Sequence, residues 1–222
     1  MPSPAIEDYL KAIYALSRAG EPVSTSDLAE RLEIAPASVT GMIKKLATSG
    51  LVAHEKYQGA RLTEAGRRIA VETIRHHRLV ETYLHQALGV PWDKLHAEAE
   101  TWEHVLSEDL EARMDAVLGH PTVDPHGAPI PTASLELVEL DHPPLARLDT
   151  GQTATVSQVS DHDPELLRHV GAAGLYPATR FEVESIADGG EATLTLLSGD
   201  REGETVHLNA VATAHVFVTD IL

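Results

Sequence analysis

The chain has 222 residues, 43% of them hydrophobic, a net charge of −17 and no cysteine. This is enough apolar material for a packed core, and the missing thiols exclude a disulfide framework, a thiolate zinc site and an iron–sulfur cluster, so any metal must be held by nitrogen and oxygen. No run approaches the roughly 18 apolar residues of a membrane span, and the start MPSPAIEDYL lacks the charged and apolar regions of a signal peptide, so a cytoplasmic protein is expected.

The acidity is unevenly spread. Residues 1–70 hold 9 Lys and Arg against 8 Asp and Glu, whereas residues 71–222 hold 8 against 26 and carry 12 of the 13 histidines. Such asymmetry implies separate tasks: one segment able to meet an anionic polymer, the other collecting cations.

The first 65 residues read as three helices and a hairpin. Ala5–Arg18 carries Ile6, Tyr9, Leu10, Ile13, Tyr14 and Leu16 at helical spacing, and Gly20 and Pro22 close it. Ser24-Thr25-Ser26-Asp27 offers capping oxygens for a second helix through Leu32. Pro36 opens a third, running through Val39, Met42, Ile43 and Leu46 to Gly50. Leu51–Tyr57 and Ala60–Thr63 flank a turn at Gln58-Gly59. This is the order of a winged helix-turn-helix, whose third helix enters the major groove. Its small and hydroxyl-bearing residues Ala35, Pro36, Ala37, Ser38 and Thr40 suit base edges and thymine methyls. Lys44, Lys45, Lys56, Arg61, Arg67 and Arg68 are candidates for phosphate contact, against the plain alternative of ordinary surface charge.

Thr63 can cap a helix from Glu64 to about Leu88, and Gly89-Val90-Pro91 breaks it. A fifth helix is expected from about Trp92 to Leu118, with an apolar row of Leu95, Ala99, Trp102, Leu106 and Leu110. Residues 119–150 are rich in Pro and Gly and read as connecting structure with one short helix around Thr132–Glu139. From Gly151 the pattern changes to five short strands, Ala154–Val159, Arg180–Ser185, Thr193–Leu197, Thr205–Leu208 and Ala214–Val218. With an inserted helix at Pro164–Ala172, they suggest a small barrel. The fold class is therefore α+β. The domains are a DNA-binding module at 1–70, a helical domain at 71–140, a linker at 141–150 and a barrel at 151–222.

The chemistry concentrates in Leu95–Val105, LHAEAETWEHV. On a continuous helix His96, Glu100, Glu103 and His104 fall near about 0°, 40°, −20° and 80°, one face. Two imidazoles and two carboxylates there suit a divalent transition metal, against the plain alternative of a solvated face. His77 and Glu81 stand one turn apart on the preceding helix, a spacing that a surface pair also has. Asp8 is equally placed to favour the dipole of the first helix or to bind a metal. Asp161, His162, Asp163, Glu165 and His169 gather near one edge of the barrel, where a polar loop and a helix cap are the plain alternative.

The segments IEDYLKAIYAL (6–16), APASVTGMIKKLATSGLV (35–52), LTEAGRRIA (62–70), HHRLVETYL (76–84), HAEAETWEHVLSEDLE (96–111) and PHGAPIP (125–131) resemble the diphtheria-toxin repressor and manganese transport regulator family of metal-dependent transcriptional repressors. The last third is similar to that family's Src-homology-3-like, FeoA-like barrel. The resemblance implies a homodimeric repressor of metal-uptake genes that binds pseudo-palindromic operator DNA when loaded with metal. Carried over, the primary metal site is Asp8, Glu100, Glu103 and His104. The ancillary site is His77, Glu81 and His96, and the resemblance selects His77 over His76. It places further barrel ligands at Asp163, with Glu165 or His169 as substitute for a position held by Leu166. Iron-responsive members carry methionine and cysteine where this chain has Asp8 and Glu100. Hard oxygens there resemble the manganese branch and favour Mn(II), with Fe(II) as the alternative and Zn(II), Co(II) or Cd(II) as substitutes in vitro. Lys11 stands where short manganese regulators carry a glutamate, a departure from their binuclear pattern.

The leading expectation is a metal-activated DNA-binding repressor, not an enzyme, with no membrane and no small-molecule substrate as partners. A metallohydrolase on the same carboxylates is the second reading, opposed by the absence of a nucleophile motif or phosphate loop. A metal buffer is the third.

Overall fold

The computed structural model describes residues 2–17, 21–55, 59–138 and 140–222. The chain forms two compact units that no single cut in the sequence separates. One comprises Met1–His77, Trp102–Glu111 and Pro131–Leu137, the other Arg78–Thr101, Ala112–Ile130 and Val138–Leu222.

The first unit begins with α1 (Pro4–Leu16), α2 (Thr25–Arg31) and α3 (Pro36–Thr48). Pro4 and Pro36 occupy first-turn positions, where the missing N–H costs no hydrogen bond. Ser24 Oγ accepts from the Asp27 amide and starts α2. Strands β1 (Val52–Glu55) and β2 (Gly59–Leu62) pair antiparallel, Val52 opposite Leu62. Val23 exchanges two 2.9 Å backbone hydrogen bonds with Ala60 and adds a third rung. Gly59 has φ +97°, and a Cβ there would meet the Val23 carbonyl oxygen at 2.6 Å, so glycine is required. Leu10, Ile13, Leu28, Val39, Ile43 and Leu46 fill the core between these elements. This is the winged-helix order expected from the sequence, although Lys56 and Tyr57 of the expected strand and the turn residue Gln58, like Arg18 at the end of the first helix, lie outside the described residues.

Helix α4 (Glu64–Leu88) has the expected bounds, capped by Thr63, and gives its first half to the first unit and its second half to the other. The expected fifth helix is broken. A 3₁₀ turn at Trp92–Lys94 leads into α5 (Leu95–Trp102), residues 103–107 are not helical, and α6 runs Glu108–Val117. The cause is a new helix start: Ser107 Oγ accepts from the Leu110 amide, and the Ser107 carbonyl accepts from Glu111. The expected apolar row is consequently split. Leu95, Ala99 and Leu106 are buried, whereas Trp102 and Leu110 are exposed. The short helix expected around Thr132–Glu139 does not form in residues 132–138, where Thr132 instead makes local turn bonds to Ser134, Leu135 and Glu136.

In the second unit β3 (Thr153–Val159), β4 (Arg180–Ile186), β5 (Ala192–Leu196), β6 (Thr205–Leu208) and β7 (Val216–Thr219) form an antiparallel sheet in the order β6-β5-β4-β3-β7. The register shifts at Val156/Gln158 and Val183/Ser185, irregularities that bend a small sheet. Val156, Phe181, Val183, Leu194, Val206 and Val218 alternate onto its buried face. Helix α7 (Pro164–Ala172) lies where the sequence places it. The start of the last expected strand, Ala214, is instead in α8 (Ala210–His215), which Asn209 caps through the Ala212 amide.

Candidate metal centre

In the first unit α1 delivers Glu7, Asp8 and Lys11, and the turn after α5 delivers Glu103 and His104. One donor atom each from Asp8, Glu103 and His104 lies within 4.8 Å of the others. His104 Nε2 is 3.0 Å from Asp8 Oδ1 and 3.6 Å from Glu103 Oε1. Adjacent donors about 2.1 Å from one ion lie about 3 Å apart when at right angles, so these spacings fit a first-row divalent cation. His104 Nδ1–H donates to Glu7 Oε2 at 2.6 Å. That tautomer turns the Nε2 lone pair toward Asp8 and Glu103, the role a carboxylate plays behind a metal-bound histidine.

Glu103 is 1% exposed and has several partners. Lys11 Nζ donates to Oε1 at 2.6 Å, and His77 Nδ1 contacts Oε2. The Glu103 carbonyl is 3.1 Å from His76 Nδ1, while His76 Nε2 is 3.1 Å from Glu111 Oε2. Glu111 also pairs with the buried Arg75, which donates to the Pro131 carbonyl at 2.6 Å. Burial disfavours charge on His76, yet the bonds to Glu111 and the Glu103 carbonyl raise its pKa on balance. The bond to His76, followed by burial in the opposite sense and the Arg75 charge, holds Glu111 below its ordinary value.

A second set of donors gathers in the other unit. Glu81, His96 and Asp161 each offer an atom within 4.8 Å, and His96 Nδ1 is 3.6 Å from Asp161 Oδ2. Glu81, Asp124 and His126 form an adjoining cluster, all three buried. The Trp92 carbonyl accepts from His126 Nε2 at 3.1 Å, and the Trp92 ring stacks on the imidazole with centroids 5.1 Å apart. This leaves His126 Nδ1 toward Glu81 Oε1, 3.6 Å away. Asp124 Oδ1 accepts from the His126 and Ala128 amides at 2.8 and 3.0 Å. Asp124 Oδ2 and His126 Nδ1 are buried with no hydrogen-bond partner among the described residues. Burial and the Glu81 charge push the Asp124 carboxyl up to about 7. Burial opposes charge on His126, but Glu81 and Asp124 prevail and lift it to about 9. For Asp161, burial raises the pKa, yet the hydrogen bond from His96 and the neighbouring histidines carry it well below the usual range. Buried nitrogen and oxygen donors gathered in this way, with Arg78 Nε 3.7 Å from Asp124 Oδ2, fit a second cation.

The sequence-derived residues fall as follows. Asp8, Glu103 and His104 converge. The turn after α5 breaks the shared helical face, and Glu100 is not in that group; its carboxylate lies 3.6 Å from His96 Nε2. His77 contacts Glu103, and Glu81 stands one turn later on α4 with His96 nearby in its own unit. Asp163 caps α7 through the Glu165 and Leu166 amides, and neither Asp163 nor Glu165 belongs to a donor group among the described residues. Sequence reasoning missed Glu7, Asp124 and His126 as participants. The Asp-Pro-His spacing before Gly127 was the available signal for the latter two.

Ala35, just before α3, and Pro36, Ala37, Ser38, Thr40, Lys44 and Lys45 on it are all exposed, on the face opposite buried Val39, Ile43 and Leu46. The Thr40 hydroxyl donates to the Pro36 carbonyl at 3.0 Å. Arg61 is exposed on β2, 3.9 Å from Glu21, and Arg67 lies 5.7 Å over the Tyr14 ring.

A winged helix on a chain that also gathers buried N/O donors defines a class, the metal-responsive DNA-binding proteins. Three family models match: the N-terminal DNA-binding domain of iron-dependent repressors at residues 1–60, their metal-binding and dimerisation domain at 63–132, and the FeoA domain at 144–219. The iron-dependent repressor IdeR of Mycobacterium tuberculosis is 36% identical over 200 residues, 83% of this chain and 85% of its own. A solved manganese-dependent transcriptional repressor in complex with manganese superposes with a TM-score of 0.86 at 39% identity, covering 96% of this chain and 98% of the other. The repressor ScaR with bound Zn²⁺ superposes at 0.78 and 28% identity, covering 96% and 98%. The chain belongs to the iron-dependent repressor family of metal-dependent transcriptional regulators. The similarities favour a regulator over the metallohydrolase and buffer readings. Among the described residues no helix is long and apolar enough to cross a membrane.

Proposed function

We propose that this protein represses metal-uptake genes as a homodimer on pseudo-palindromic operator DNA, with Mn(II) as its activating ion and Fe(II) as the weaker alternative. The observation that supports this most is the meeting of Asp8, on the first helix of the DNA-binding module, with Glu103 and His104, about a hundred residues later. The donors are carboxylate and imidazole without sulfur, which suits a hard divalent ion. Asp8, Glu103 and His104 hold the ion. The bound ion supplies positive charge that draws these carboxylates together. Asp8 then ties α1 to the 103–104 turn, and Glu7 holds the His104 ring. Through the core contacts of Leu10 and Ile13, the position of α1 is passed to α3. In a dimer this sets the spacing of the two recognition helices, and only one spacing matches successive half-sites. Glu81, His96 and Asp161, with the adjoining Asp124 and His126, form the ancillary site.

Base readout falls to the exposed Ala35–Ser38 and Thr40, and phosphate contact to Lys44, Lys45, Lys56 and Arg61. The test is operator binding by fluorescence anisotropy with Mn(II), Fe(II) or Zn(II), and with chelator. Binding should appear with Mn(II) and vanish with chelator. Equal affinity in chelator would overturn the reading. Lys44→Ala and Lys45→Ala should each weaken binding across sequences and reduce the salt slope by about 1.

A further inference from the structure

We propose that Lys11 is a built-in cation of the Asp8–Glu103–His104 cluster, whose ammonium competes with the divalent ion for Glu103 and so sets the metal concentration at which the protein responds. The inference rests on the reading that this cluster holds the activating ion. Lys11 lies three residues after Asp8 and so shares its face of α1. Its Nζ is 2.6 Å from Glu103 Oε1, a short charge-assisted bond. The Glu103 side chain is fully buried and that of Lys11 largely so. Oε1 is also the Glu103 oxygen that lies 3.6 Å from His104 Nε2, so the ammonium holds the atom that faces the other donors. The second oxygen, Oε2, is taken by His77. A divalent ion and an ammonium on one carboxylate oxygen repel, and the burial of the Glu103 side chain strengthens that repulsion. Metal uptake therefore requires the Lys11–Glu103 pair to open, and the free energy of that pair is subtracted from metal affinity. The same pair neutralises a buried carboxylate when the ion is absent, a charge that would otherwise be costly.

The experiment compares the full chain with Lys11→Met, Lys11→Arg and Asp8→Asn, measuring Mn(II) affinity without DNA by competition with a fluorescent chelator. The step weakened in Asp8→Asn identifies binding at this cluster. At that step Lys11→Met should bind at least about tenfold more tightly than wild type, while its denaturation midpoint without metal falls. Lys11→Arg, which keeps the charge, should stay within about threefold of wild type. A second readout needs no stability from Lys11→Met. In ¹⁵N-lysine spectra of wild type, the slowly exchanging ammonium signal absent from Lys11→Arg should be lost on adding one equivalent of Cd(II). Unchanged or weaker Mn(II) binding in Lys11→Met, or persistence of that signal in the loaded protein, overturns the role of Lys11. If instead Asp8→Asn binds Mn(II) as wild type does, the site itself is misplaced, and the proposed function fails with it.

Discussion

In the proposed site Glu7 is the carboxylate that holds the His104 ring, and its loss should be felt as metal affinity. Its Oε2 accepts from His104 Nδ1 at 2.6 Å, and the two side chains are only 12% and 10% exposed. Glu7→Gln keeps an oxygen acceptor at nearly the same place and removes the charge, so the ring stays oriented but becomes a poorer donor. Glu7→Ala removes the acceptor as well, leaving a mostly buried N–H unpaired and the ring free to turn. Losses from such outer partners run about 10- to 100-fold in metal affinity, or about 1.4 to 2.7 kcal/mol. Glu7→Gln is expected near the lower figure and Glu7→Ala near the upper. The assay is operator binding titrated with Mn(II). The half-activating concentration should rise by the stated factor, whereas DNA affinity at saturating Mn(II) should match wild type, because Glu7 acts only through His104. A shift below twofold in both variants, with unchanged circular dichroism, would refute the reasoning. So would a loss of DNA affinity that excess Mn(II) fails to restore.

Two further outcomes follow from the packing. Gly127 has φ +89°, and a Cβ there would sit 2.0 Å from the Ser157 carbonyl oxygen, so Gly127→Ala must displace either the loop or β3. A loss of about 2–4 kcal/mol is expected, with His126 moved because its carbonyl accepts from the Val159 amide; an unchanged urea midpoint would contradict this. The His76–Glu111 pair gives stability a defined pH window. The His76 pKa is raised, so its contribution is complete below its ordinary 6.5 and fades as pH climbs through the raised value. Glu111 is lowered, so its contribution is complete above 4.5 and fades as pH falls through the lowered value. Between those ordinary values both contribute fully. The urea midpoint of wild type should therefore decline above that window more than that of His76→Gln, and parallel profiles would count against the pair.

Much of this protein was legible in its residues. Apolar spacing and caps located α1 to α4, α7 and the wing to within a few residues, because an amphipathic face and a capping oxygen are local facts. The absence of cysteine and the clustering of His with Glu point by themselves to a nitrogen–oxygen metal chemistry. The break after Trp102 was not legible, since Glu, His and Val at 103–105 are all tolerated in a helix and only the Ser107 cap interrupts the pattern. Nor were the partnerships that give the site its character. Lys11 and Glu103 are 92 residues apart, Glu7 and His104 are 97, and neither pair leaves a periodic trace. Asp124 and His126 read as turn residues until their burial beside Glu81 is seen. By itself the sequence determined which elements form and which donor atoms exist. Tertiary packing decided which of those donors meet, because a buried charge takes its partner from whatever the fold brings within about 3 Å, at any distance along the chain.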